Sequence, residues 1–130
     1  MKQIKPYVFI VDDDLSVRRA LRRLIASAEL NVEAFSSAAS FLDSVPRDTK
    51  GCVVLDIRMP KMDGFELQRV LNEARSDLEV VFITAHAQPG DREYAMEHGA
   101  HGFLMKPFSD ESLLELIDSA IEKSKGSKQE

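Results

Sequence analysis

Five short apolar runs, each followed by a stretch of helical or capping character, predict an α/β protein built on a five-stranded parallel sheet with helices on both faces. The runs are mostly apolar throughout, not alternating, as strands covered on both sides require. A third observation is chemical. Acids, a threonine and a lysine follow runs one, three, four and five. Parallel strands bring their carboxyl ends to one edge, where open α/β sheets bind ligands.

The elements follow in order. Residues 7–11 (YVFIV) form the first run, and Val17, Leu21, Leu24, Ile25 and Ala28 then mark the inner face of a helix. Residues 31–35 read as a second strand, and Ser36 or Ser37 caps a short helix carrying Ala38, Phe41 and Leu42. Residues 52–55 are a third strand, and a helix with Phe65, Leu67, Val70 and Leu71 runs from Gly64 to about Arg75. Residues 80–83 are a fourth strand, followed by the weakest helix of the five, about 91–98, with Gly90 and Gly99 near its ends. Residues 102–105 are a fifth strand. The last helix opens at Ser109 and turns Leu113, Ile117, Ala120 and Ile121 inward. This makes one domain over residues 1–122, with 123–130 a polar tail or the start of a linker.

Composition narrows the class. The 130 residues are 44% hydrophobic and 30% charged, which suits a soluble globular domain. A net charge of −5 gives no general attraction to nucleic acid or anionic membrane. No apolar run approaches the roughly 20 residues of a membrane helix, and the first residues lack a signal peptide's apolar region. A single cysteine, Cys52, lies in an apolar run and reads as a buried, inert thiol. A cytoplasmic protein is expected.

The strand ends carry the chemistry. Asp12, Asp13 and Asp14 end the first run, Asp56 the third, Thr84 the fourth, and Lys106 with Pro107 the fifth. Each has a plainer reading alone: acids cap helices, threonines fill strands, lysines are solvated. Together they would form a cleft in which crowded carboxylates repel unless a cation sits among them. Mg²⁺ favours such an oxygen set, and a nearby ammonium would pair with a phosphoryl oxygen.

Four strings, Val-Asp-Asp-Asp at 11–14, Leu-Asp-Ile-Arg-Met-Pro-Lys-Met-Asp-Gly at 55–64, Ile-Thr-Ala-His at 83–86 and Lys-Pro-Phe at 106–108, resemble the receiver domains of two-component response regulators. The resemblance spans about residues 7–121. Phe35 to Ala38, with Phe41 and Leu42, give a narrower likeness to receivers of nitrogen-fixation-type transcriptional regulators. The resemblance implies a flavodoxin-like, doubly wound fold with strand order 2-1-3-4-5. It implies a signalling switch rather than an enzyme, with Asp56 as phospho-acceptor. Asp13 and Asp56 would be direct ligands of Mg²⁺ (Mn²⁺ the alternative), with the Arg58 backbone carbonyl, and Asp12 would act through water. Thr84 and Lys106 would contact the phosphoryl group, and Phe103 would be the switch aromatic, turning inward from a partly exposed rotamer. Arg58 and His86 would tune the lifetime of the phosphoryl group. The implied partners are a sensor histidine kinase or phosphotransfer protein and, on phosphorylation, a second copy of the chain. The output face would be the fourth helix, fifth strand and fifth helix. No helix-turn-helix follows residue 121, so these residues are not expected to bind DNA.

Remaining features are structural. Pro60 and Gly64 shape the loop after Asp56, with Gly64 expected to use a positive φ. The Lys106–Pro107 bond could take either isomer by sequence, and the receiver resemblance implies cis. Arg18, Arg19, Arg22 and Arg23 form a basic stripe, read as a solvated outer face. His98 and His101 read as surface residues. A rival reading takes Asp12 as nucleophile and Asp14 as acid/base of a haloacid-dehalogenase-type phosphohydrolase. Position 16 and the missing downstream acid pair weigh against it, and it leaves 55–64 without a role.

Overall fold

The computed structural model describes residues 6–74 and 76–126. It has β1 (Tyr7–Val11), α1 (Leu15–Ser27), β2 (Asn31–Phe35), α2 (Ala38–Ser44), β3 (Gly51–Asp56), α3 (Gly64–Glu73), β4 (Leu78–Thr84), α4 (Asp91–Glu97), β5 (Gly102–Met105) and α5 (Asp110–Gly126). The strands form one sheet in the order β2-β1-β3-β4-β5, every pairing parallel. This is the expected flavodoxin-like α/β fold.

The pleat divides the core in two. Val8, Ile10, Val54 and Ile83 pack with Leu21, Ile25, Leu113 and Ile117 of α1 and α5. Phe9, Val11, Leu55 and Phe82 pack with Phe41 of α2, Leu67 of α3 and Ala95 of α4. Cys52 lies fully buried, and burial pushes its thiol far up. No described helix is long and apolar enough to cross a membrane.

Local chemistry sets the helix starts. Asp14 Oδ1 accepts from the Ser16 and Val17 amides, and Ser37 Oγ from the Ser40 amide. Asp63 and Glu66 close a reciprocal capping box on α3. Gly90, at φ 91°, offers α4 no side-chain cap. On α1, Arg19, Arg22 and Arg23 are exposed as expected, while Arg18 Nη1 donates to the Asp12 carbonyl at 2.8 Å.

Two expectations change. Gly64 does not need a positive φ; Lys61 (φ 69°) takes that turn. The requirement at Gly64 is space, since a Cβ would lie 2.4 Å from the Asp56 carbonyl oxygen. The segment 123–126, expected to be a polar tail or the start of a linker, continues α5. Ser124 is fully buried there, with Oγ accepting from the Gly51 amide and donating to the Asp77 carbonyl, each at 2.8 Å. Residues 127–130 of the expected tail, and Arg75 at the expected end of α3, lie outside the described residues.

Ser124→Ala therefore removes a partner from two backbone groups at the amino ends of β3 and β4. Urea unfolding should show a loss of about 1–3 kcal/mol. A change below about 0.5 kcal/mol, typical of surface positions, would make Ser124 incidental.

Candidate functional site

The carboxyl ends of β1, β3, β4 and β5 meet at one edge and deliver the predicted side chains together. Asp12 follows β1 and is 1% exposed. Its amide donates to the Phe35 carbonyl, and its Oδ1 accepts from the Asp14 amide at 2.9 Å. Its Oδ2 is buried and has no hydrogen bond among the described residues; the ammonium of Lys106 stands 3.9 Å away, an ion pair too long to be a hydrogen bond. Asp13 is exposed beside it, and Asp56 at the end of β3 is half-buried. One oxygen from each of Asp12, Asp13 and Asp56 lies within 4.8 Å of the others.

This arrangement is electrostatically unfavourable by itself. Burial raises the Asp56 pKa to about 6; the charges of Asp12 and Asp13 add to the rise, and Lys106 and the Arg58 backbone hydrogen bond oppose it. Asp12 is also raised, first by burial, against the Asp14 hydrogen bond and Lys106. A buried oxygen without a hydrogen bond, within a cluster of three carboxylates, fits a hard divalent cation.

Thr84 ends β4 and is 1% exposed. Its Oγ1 accepts from the His86 amide at 3.2 Å, and its carbonyl accepts from the Lys106 amide at 2.8 Å. The Lys106–Pro107 bond is cis. Phe103 is 5% exposed and packs near Phe82, ring centroids 6.4 Å apart. The expected partly exposed rotamer is thus not the one observed; the ring is already inside. The Arg58 side chain turns to Asp91, its Nη2 2.6 Å from Oδ2. His86 is exposed. His98 stacks on Tyr94, and His101 Nε2 lies 2.6 Å from Ser119 Oγ, so each has a neighbour outside the acid cluster. Sequence reasoning missed Asp91; its only signal was an acid directly after Gly90.

Asp14, the acid/base of the phosphohydrolase reading, is committed to capping α1. Comparison with known proteins agrees with the alternative. The chain belongs to the response regulator receiver domain family, whose model matches residues 8–118. It is accordingly a signalling phospho-acceptor domain and not an enzyme.

Its relatives include the response regulator protein TodT of Pseudomonas putida, 42% identical over 88% of this chain and 50% of TodT. The transcriptional regulatory protein FixJ of Bradyrhizobium diazoefficiens is 39% identical over 90% of this chain and 57% of FixJ, which bears out the nitrogen-fixation-type likeness. The solved structure of the response regulator StyR superposes with a TM-score of 0.91 at 44% identity, covering 97% of this chain and 64% of that one. The chain spans about half the length of the regulators TodT and FixJ.

Because folding raises the Asp56 pKa from 3.8 to about 6, the folded state binds this proton more tightly than the unfolded one. The group's contribution to stability is full below pH 3.8 and is lost as pH rises through about 6. In chelator, Asp56→Asn should match wild type near pH 4 and exceed it by about 1–2 kcal/mol at pH 7.5, allowing for solvent screening. Denaturant titrations at the two pH values measure this; a mutant no more stable at pH 7.5 would contradict it.

Proposed function

We propose that the chain accepts a phosphoryl group on Asp56 from a sensor histidine kinase or phosphotransfer protein, in a reaction that depends on Mg²⁺, with Mn²⁺ as the alternative ion. The observation that carries this is the convergence of Asp12, Asp13 and Asp56 beside Lys106, with one buried acidic oxygen that has no hydrogen bond among the described residues. Asp13, Asp56 and the Arg58 carbonyl would hold the ion directly, and Asp12 through water. The ion supplies charge neutralisation for a loose phosphoryl-transfer transition state, where positioning and electrostatics do most of the catalysis.

The residues of the chain do the rest. An Asp56 carboxylate oxygen forms a bond to phosphorus as the bond from phosphorus to the donor breaks, leaving an acyl phosphate. A pKa of about 6 keeps Asp56 mostly ionised, and so nucleophilic, at neutral pH. Lys106 pairs with a phosphoryl oxygen. The Thr84 hydroxyl turns toward another, and Phe103, buried on the neighbouring strand, responds as the switch aromatic. Arg58 and His86, each two residues past a phosphoryl-contacting position, set how long the modification lasts.

The output is read on α4, β5 and α5, by a partner, a second copy of the chain or an attached effector. Relatives named as transcriptional regulators, of which this chain matches 50% and 57%, favour a transcriptional output. Direct nucleic-acid or membrane binding is not assigned to these residues, and the place of action is the cytoplasm.

Intact-mass spectrometry after acetyl phosphate treatment tests the reading. Wild type with Mg²⁺ should gain one base-labile phosphoryl group, mapped to Asp56, and none in chelator. Asp56→Asn should gain none. Undiminished labelling of Asp56→Asn, or labelling indifferent to chelator, would overturn it.

A further inference from the structure

The Arg58 side chain is held by a residue that the acceptor chemistry leaves unused. Asp91 Oδ2 accepts from Arg58 Nη2 at 2.6 Å and from the Gln88 amide at 2.8 Å. The Asp91 side chain is only 11% exposed, whereas that of Arg58 is 40% exposed. Asp91 opens α4, and the next residue, Arg92, donates from Nη1 to the Phe103 carbonyl at 3.2 Å. Two adjacent residues thus tie the first turn of α4 to the loop after Asp56 and to β5.

A carboxylate in a first helical turn suits the helix dipole, but that benefit needs no burial. Here the carboxylate is sequestered against a guanidinium 33 positions away. Arg58 lies two residues from Asp56 and reaches it with a backbone hydrogen bond, while its guanidinium is turned to Asp91. A cation two residues from the acceptor is therefore occupied elsewhere.

We propose that Asp91 is a positioning residue for phosphoryl transfer: it holds the Arg58 guanidinium off Asp56 and yields it to the phosphoryl oxygens when Asp56 is modified. This rests on Asp56 being the acceptor. The exchange follows from charge and geometry. A phosphoryl group carries nearly two negative charges on three strong acceptors, against one charge on Asp91, and a guanidinium fork matches such oxygens. Losing Arg58 leaves Asp91 a nearly buried carboxylate short of its cation, an unfavourable state. The first turn of α4, without a side-chain cap at Gly90, is then free to shift.

The test is a double-mutant cycle on the rate of acetyl phosphate labelling at saturating Mg²⁺, with melting curves for each variant. Asp91→Asn keeps the shape and the acceptor for Gln88 but weakens the hold on Arg58. It should speed labelling about tenfold, the equivalent of losing one charged hydrogen bond at ~1.4 kcal/mol. Arg58→Ala should slow labelling, and in that background Asp91→Asn should change the rate less than about twofold. Equal acceleration in both backgrounds would show only a general effect of removing negative charge and would overturn the proposal, as would no acceleration by Asp91→Asn alone.

A second arm needs no variant. Beryllofluoride with Mg²⁺ should shift the Arg58 Nε–Hε resonance of wild type together with the Gln88 and Asp91 amides; these signals staying at their Mg²⁺-only positions would also overturn it. If wild type takes no phosphoryl group, the acceptor reading itself fails. If it is labelled normally and the variants are merely additive, only the role of Asp91 fails.

Discussion

Asp12 sits 1% exposed at the carboxyl end of a central strand, with one oxygen unbonded and with Asp13 and Asp56 as its neighbours. Much else at this edge of the molecule answers to that burial. Taking a carboxylate out of water beside two others disfavours ionisation, and the single ammonium of Lys106, 3.9 Å away, offsets this only in part. The same imbalance favours positive charge at the site and raises the Asp56 pKa to about 6. A fold optimised for stability alone would not keep these acids together.

The parallel sheet makes such a cluster affordable in conformational terms. Strands buried on both faces fix the backbone to their last residues, so packing of Leu55 and Ile83 helps to place Asp56 and Thr84. The close approach of Gly64 to the Asp56 carbonyl sets the loop on one side. On the other, polar links join the core packing of Ala95 in holding α4: Arg58 to Asp91 and Arg92 to Phe103 at its start, Gln68 and Asn72 to the His98 carbonyl at its end. Hydrogen bonds of this kind can be exchanged without dismantling a core.

Strands and site acids were legible in the sequence because burial on both faces leaves unbroken apolar runs, and each chemical residue sits at the end of one. The order of the strands and the individual roles came from resemblance in four motifs, not from periodicity. What was not legible depends on contacts between distant positions. Ser124 reads as tail because its burial is justified by hydrogen bonds to Gly51 and Asp77, which no hydrophobic period reveals. Asp91 reads as an ordinary first-turn acid because its partner is 33 residues away. Gly64 reads as a turn residue because sequence shows the missing side chain and not the carbonyl that fills its place. The rotamer of Phe103 is set by its packing against Phe82, which the motif alone does not encode.

Burial and mutual repulsion hold Asp56 protonated to an unusual pH, and a divalent cation among the acids would release that proton. Calorimetric titration with Mg²⁺ in buffers of different ionisation enthalpy counts the protons released on binding. With the Asp56 pKa at about 6, wild type should release a substantial fraction of one proton at pH 6 and essentially none at pH 8, and Asp56→Asn should lose most of that release. Proton release that is absent at pH 6, or unchanged in Asp56→Asn, would contradict the account.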